Sequence, residues 1–145
     1  MRNYRFRLQP VMDVRVIQRD IQAGEVARLM GEKEEQVKKL GLYQQKWEKS
    51  CEPALRLRPE ELLHTQYYRE QLQFNLQTES EILREKEHLV HQAQKKLVEA
   101  EVDCRSLDLL RKKGKGIFRR EALREEQYIL DEAGMSNYTR MRENL

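Results

Sequence analysis

Apolar residues recur every seven positions along the second half of the chain. Leu76, Leu83, Val90, Leu97 and Cys104 fall on one line, and Leu72, Ala93, Ala100 and Leu107 lie on the line offset by three or four. Two such lines form the a/d seam of a left-handed coiled coil. The seam reaches back to Leu62 and stays in register to Arg111 without a proline or glycine, with Glu79 and Lys86 interrupting its d line. The first half repeats the pattern: Val16, Ala23, Met30 and Val37 are seven apart, and Val26, Leu40 and Trp47 share a companion line with Lys33.

The breakers fall where two helices would need them. Pro10 suits a first helical turn, where its missing N–H costs nothing, and the preceding YRFRLQ is biased toward extended backbone. Pro53 stops the first helix, and Pro59 with Glu60 and Glu61 starts the second, the acids favouring the positive end of its dipole. Gly24, Gly31 and Gly41 each cost about 1 kcal/mol against alanine but lie off the main seam. The pattern predicts helix 1 over about residues 10–50, a turn over about 51–59, helix 2 over about 60–112 and a C-terminal helical arm over about 113–145. So short a turn makes the pair antiparallel. At about 1.5 Å per residue helix 1 is a rod of roughly 60 Å, which leaves roughly the last 40 residues with no helix 1 to pair with. The expected fold class is all-α, a single elongated antiparallel two-helix coiled-coil hairpin with a longer C-terminal helix.

Composition agrees with exposed helices and argues against a thick core: 39% of residues are hydrophobic, 7% aromatic and 37% charged. No apolar run approaches the roughly 18 residues that cross a bilayer, and MRNYRFRLQP lacks the apolar stretch of a signal peptide. The expectation is a cytoplasmic protein with no direct membrane insertion. Cys51 and Cys104 have no metal or redox spacing, and they fall near opposite ends of the hairpin, which excludes an internal bridge.

The charge is unevenly spread. Residues 1–19 hold five basic and one acidic residue, residues 111–124 seven and one, and residues 125–145 two and five. An antiparallel hairpin brings the first two segments to the same end, so a net charge of only +3 conceals a basic tip that attracts anionic surfaces.

RKKGKGIFRR, residues 111–120, contains the pair Gly114 and Gly116. It lacks the spacing and the strand of a phosphate-binding loop. The two glycines together cost about 2 kcal/mol of helix preference and predict a bend or frayed turn there. Ile117 and Phe118 follow directly, and a docking role competes with packing on Tyr4, Phe6 or Leu8. A basic cluster with an aromatic residue also suits nucleic acid, but no nucleic-acid-binding motif accompanies it and acidic residues follow at once, so no nucleic acid is expected.

Glu85 and His88 have the Glu-x-x-His spacing of di-iron bundles, yet the heptad puts His88 at f and His91 at b, facing solvent, with no second motif. No metal or cofactor is expected, and no side chains combine as nucleophile, base and orienter, so no catalysis is expected either. Tyr67 at f and Tyr68 at g suggest an exposed contact patch beside Leu72. The competing reading packs them across the turn onto Leu55 or Leu57.

The opening YRFRLQPVMDVR, the unequal hairpin, and the ending FRREALREEQYILDEAG resemble the FliJ family of bacterial flagellar type III export over essentially the whole chain. Gly114 and Gly116 depart from that family's more continuous helix. The resemblance implies a fold similar to the γ stalk of rotary ATPases, with the terminal end entering the hexameric flagellar export ATPase and the other end contacting the cytoplasmic domain of the export-gate membrane protein. It also implies stimulation of the ATPase and an export-chaperone role, with other export chaperones as further partners, at the inner membrane of the flagellar base. On that reading Arg5, Arg7, Lys112, Lys113, Lys115, Ile117, Phe118, Arg119, Arg120 and Arg124 dock the ATPase. Tyr68, Leu72, Asn75 and Glu79, one face at i, i+4, i+7 and i+11, meet the gate protein. Two alternatives remain at this point: the equivalent stalk of a virulence injectisome, and a coiled-coil tether that binds nucleic acid through its basic tail.

Overall fold

The computed structural model describes residues 3–52 and 58–145. Two helices pack against each other, α1 over Gln9–Ser50 with 42 residues and α2 over Pro59–Glu143 with 85, and the described residues contain no strand. The fold is an all-α helical hairpin. Residues 53–57, which include Leu55 and Leu57, the partners of Tyr67 and Tyr68 on the competing reading, lie outside the described residues.

Local chemistry sets the helix ends. The Arg58 N–H donates to Glu61 Oε2 at 3.0 Å and the Leu62 N–H to the Arg58 carbonyl at 3.0 Å. Arg58 is therefore the N-cap, Pro59 occupies the first helical position, and Glu61 reaches back as half of a capping box. At the end of α1 the Ser50 carbonyl, which has no partner within its own helix, accepts Arg69 Nε at 2.8 Å and also Arg69 Nη2. A cation there complements the negative end of the dipole.

The chain divides into two units. One is Gln18–Ala100; the other joins Glu101–Leu145 to the chain up to Ile17. In the first, Val26 and Leu29 of α1 pack with Val90 and Ala93 of α2, and Leu97 borders the cluster. Bonds from Gln36 to Glu79 and from Ser50 to Arg69 run in opposite senses along the two helices, as an antiparallel pair requires.

This unit corrects one column of the sequence reading. The line Val26, Lys33, Leu40, Trp47 is buried or half-buried as predicted, but its companion is Gln22, Leu29, Gln36, Tyr43 and Ser50. Ala23 is exposed, and Met30 and Val37 keep 44% and 47% of their surface in water. Both columns neighbour the Val26 line, three residues to either side, so the partner helix decides between them. On α2 the seam position Glu79 needs donors. Gln36 Nε2 gives it a bond to the backbone carbonyl at 3.1 Å and another to Oε2, whereas Val37 in that place would leave a buried carboxylate short of partners.

In the other unit Cys104 is buried with its thiol free, and Arg15 reaches Asp103 at 3.4 Å. Here α2 continues unbroken through Gly114 and Gly116, both helical, where a bend or frayed turn was predicted. The propensity penalty of two glycines is a weak local preference that tertiary packing overrides, and at Gly114 the packing is specific: Tyr4 occupies the space above it. Residues 3–8 precede α1 as an irregular strap, and from residue 123 to the C-terminus every residue is exposed. The bare stretch is shorter than helix length alone predicts, because strap residues cover α2 as far as Phe118.

Candidate docking surfaces

In the terminal unit the strap alternates. Asn3, Arg5 and Arg7 are exposed while Tyr4 and Phe6 are half-buried, the period of an extended segment with one face on a surface. The Tyr4 and Phe118 rings stand 5.7 Å apart, tilted by 47°, within the range of a favourable aromatic pair. The adjacent pair Ile117 and Phe118 therefore splits. Phe118 packs on Tyr4, and Ile117 stays 43% exposed.

Not all of the basic run is available. Asp108 binds Arg111 at 2.8 Å and Lys112 at 3.0 Å, and the Lys112 ammonium holds its carboxyl below the ordinary carboxylate range. Lys112 is thus partly neutralised within its own helix. Arg5, Arg7, Lys113, Lys115, Arg119, Arg120 and Arg124 are exposed and make no ion pair among the described residues. Beyond them Leu123, Leu130, Tyr138 and Met141 line one face of α2 with no partner helix over them.

In the unit Gln18–Ala100 the four predicted gate-contact residues separate by burial. Leu72 is 3% exposed, Glu79 9%, Asn75 is half-buried, and Tyr68 alone is open at 49%. Leu72 and Glu79 serve the seam with α1. Gln36 is the main cause, and Lys39 at 3.0 Å the second, that holds the Glu79 carboxyl below its ordinary value. Sequence reasoning placed Tyr67 on this patch but passed over Leu63 and Phe74: the three, at i, i+4 and i+11, all project into water beside Tyr68. Their b and f heptad positions were the available signal.

These surfaces and the hairpin bearing them can be set beside known proteins. The family model described as flagellar FliJ protein matches residues 4–143. The chain belongs to the FliJ family. The match begins at Tyr4, the strap residue on α2, and ends at Glu143, the last residue of α2. Neither the curated proteins nor the solved structures gave a match. Membership in the FliJ family supports a role in flagellar protein export as a non-enzymatic component. No helix is long and apolar enough to cross a membrane among the described residues.

Proposed function

We propose that this FliJ-family chain links two parts of the export machinery, the hexameric export ATPase and the cytoplasmic domain of the export-gate membrane protein, and stimulates the first. The observation that carries the reading is the terminal unit, where α2 runs on bare from residue 123 beside a cluster of cations that make no ion pair among the described residues. A helix that leaves Leu123, Leu130, Tyr138 and Met141 uncovered has an apolar stripe for a partner's groove. The cations before it, Lys113, Lys115, Arg119, Arg120 and Arg124 with Arg5 and Arg7, steer that helix toward an acidic ring and fix its depth. Ile117 is an accessible apolar residue among them.

The gate protein meets the turn-side unit through Tyr68, extended by Leu63, Tyr67 and Phe74. Leu72, Asn75 and Glu79 hold that surface by fixing α2 on α1. The protein works in the cytoplasm, held at the inner membrane through these partners.

The test is stimulation of the purified export ATPase by the full chain. Changing Lys113, Lys115, Arg119 and Arg120 to glutamate abolishes stimulation, and the wild-type effect declines with salt, because exposed charges more than about 8 Å apart are screened at 0.15 M. Normal stimulation by that variant, together with loss of retained RNA or DNA, replaces this reading with nucleic-acid binding.

A further inference from the structure

The heptad of α2 does not stop where α1 begins. Counting on by sevens, the column of Leu107 continues to Gly114 and that of Cys104 and Arg111 to Phe118. Gly114 and Phe118 are half-buried although α1 starts only at Gln9. What lies on them is the strap.

At Gly114 the strap comes so close that an added side chain would displace the end of the Tyr4 ring. A Cβ at that position would stand 2.2 Å from Tyr4 Oη and 3.1 Å from Cζ, while one at Gly116 would meet nothing within 4 Å. The two glycines are therefore not equivalent, and only Gly114 makes room for another side chain. The same ring contacts Phe118 one turn further along, and the strap's alternation turns Arg5 and Arg7 outward.

We propose that Tyr4, Gly114 and Phe118 form a latch that seats the N-terminal strap on α2. By holding Arg5 and Arg7 outward beside the basic run, the latch makes the strap and that run one binding face for an acidic protein surface. Gly114 and Tyr4 are positioning residues, and the arginines make the contact. The latch stands on the geometry alone; its role in binding rests on the docking reading above.

Limited trypsin digestion of the full chain, followed by mass spectrometry, reads the latch without any partner. Cleavage after Arg5 and Arg7 accelerates by roughly tenfold in Tyr4→Ala, the population change that loss of one aromatic pair gives. Gly114→Ala accelerates it similarly, although it replaces a glycine by a better helix former. Adding Tyr4→Phe to Gly114→Ala restores much of the protection, because the hydroxyl clash is removed and the ring carbon left at 3.1 Å needs a shift of only a few tenths of an ångström. Wild-type protection in Gly114→Ala, or no rescue by Tyr4→Phe, overturns the latch.

Affinity for the purified ATPase reads the second step. Tyr4→Ala removes no charge, yet it weakens binding as much as Arg5→Ala with Arg7→Ala, and it adds nothing to that pair. Wild-type affinity of Tyr4→Ala where the arginine pair loses binding overturns the positioning role. If digestion follows the latch while neither the arginine pair nor charge reversal on α2 alters ATPase binding, the docking reading fails and the latch remains.

Discussion

Leu29 and Met30 are adjacent in sequence and belong to rival columns of α1, so truncating each to alanine decides which column faces α2. Leu29 is 9% exposed and sits among Val26, Val90 and Ala93. Leu29→Ala deletes three buried carbons at about 0.8 kcal/mol each. The loss is roughly 2 kcal/mol, the low end for a core leucine, because a seam between only two helices can close partly over the gap or admit water. Met30 keeps 44% of its surface in water, and alanine is the better helix former, so Met30→Ala stays within about 0.5 kcal/mol of wild type. At about 2–4 °C per kcal/mol for a chain of this size, Leu29→Ala lowers Tm by roughly 4–8 °C and Met30→Ala by no more than about 2 °C. Thermal unfolding followed by circular dichroism, with urea midpoints as a check, measures both. An equal or larger loss in Met30→Ala would put Ala23, Met30 and Val37 in the seam and refute the assignment.

Three further outcomes follow from the same contacts. Gly116→Ala raises stability by about 1 kcal/mol, since the site is helical and open, whereas Gly114→Ala fails to show that gain in the same urea titration. The Glu79 carboxyl is held below its ordinary 4.5 by Gln36 and then Lys39, so its stabilising contribution is complete above that value and is lost as pH falls below it toward the lowered folded value. Urea midpoints measured down through that window fall less steeply for Glu79→Gln than for wild type, and identical slopes would remove Glu79 as the group responsible. Tyr68→Ala with Phe74→Ala weakens gate-protein binding while helicity and ATPase stimulation stay near wild type; loss of stimulation with intact gate binding would reverse the two assignments.

The second helix was legible because its seam columns run from Leu72 to Leu107 with apolar residues at most positions. The start signals at Pro59, Glu60 and Glu61 were equally local and placed the beginning of α2, although the bond by which Glu61 caps it was not foreseen. The companion column of α1 was not legible in the same way. Counting apolar residues favours Ala23, Met30 and Val37, and the choice turns on Glu79, a polar residue on another helix that draws Gln36 into the seam. Gly114 illustrates the limit more sharply. Its propensity signals a bend, yet the helix runs unbroken through it, and its pairing with Tyr4, 110 positions earlier, leaves no local signal. At the candidate surfaces, outward heptad positions were right for Tyr67 and Tyr68. A face drawn through Leu72 and Glu79 used residues that the heptad had already assigned to the seam, and their burial follows from that assignment.

On the proposed assignment the two units meet different partners, and site-specific photocrosslinking in cells distinguishes them. A photoreactive amino acid at Ile117, exposed in the terminal unit, and another at Tyr68, exposed in the turn-side unit, each capture what lies within a few ångströms. Position 117 is expected to crosslink to the export ATPase and not to the gate protein, and position 68 to the gate protein's cytoplasmic domain and not to the ATPase. Crosslinks exchanged between the two positions, or nucleic acid captured at position 117, would contradict that assignment.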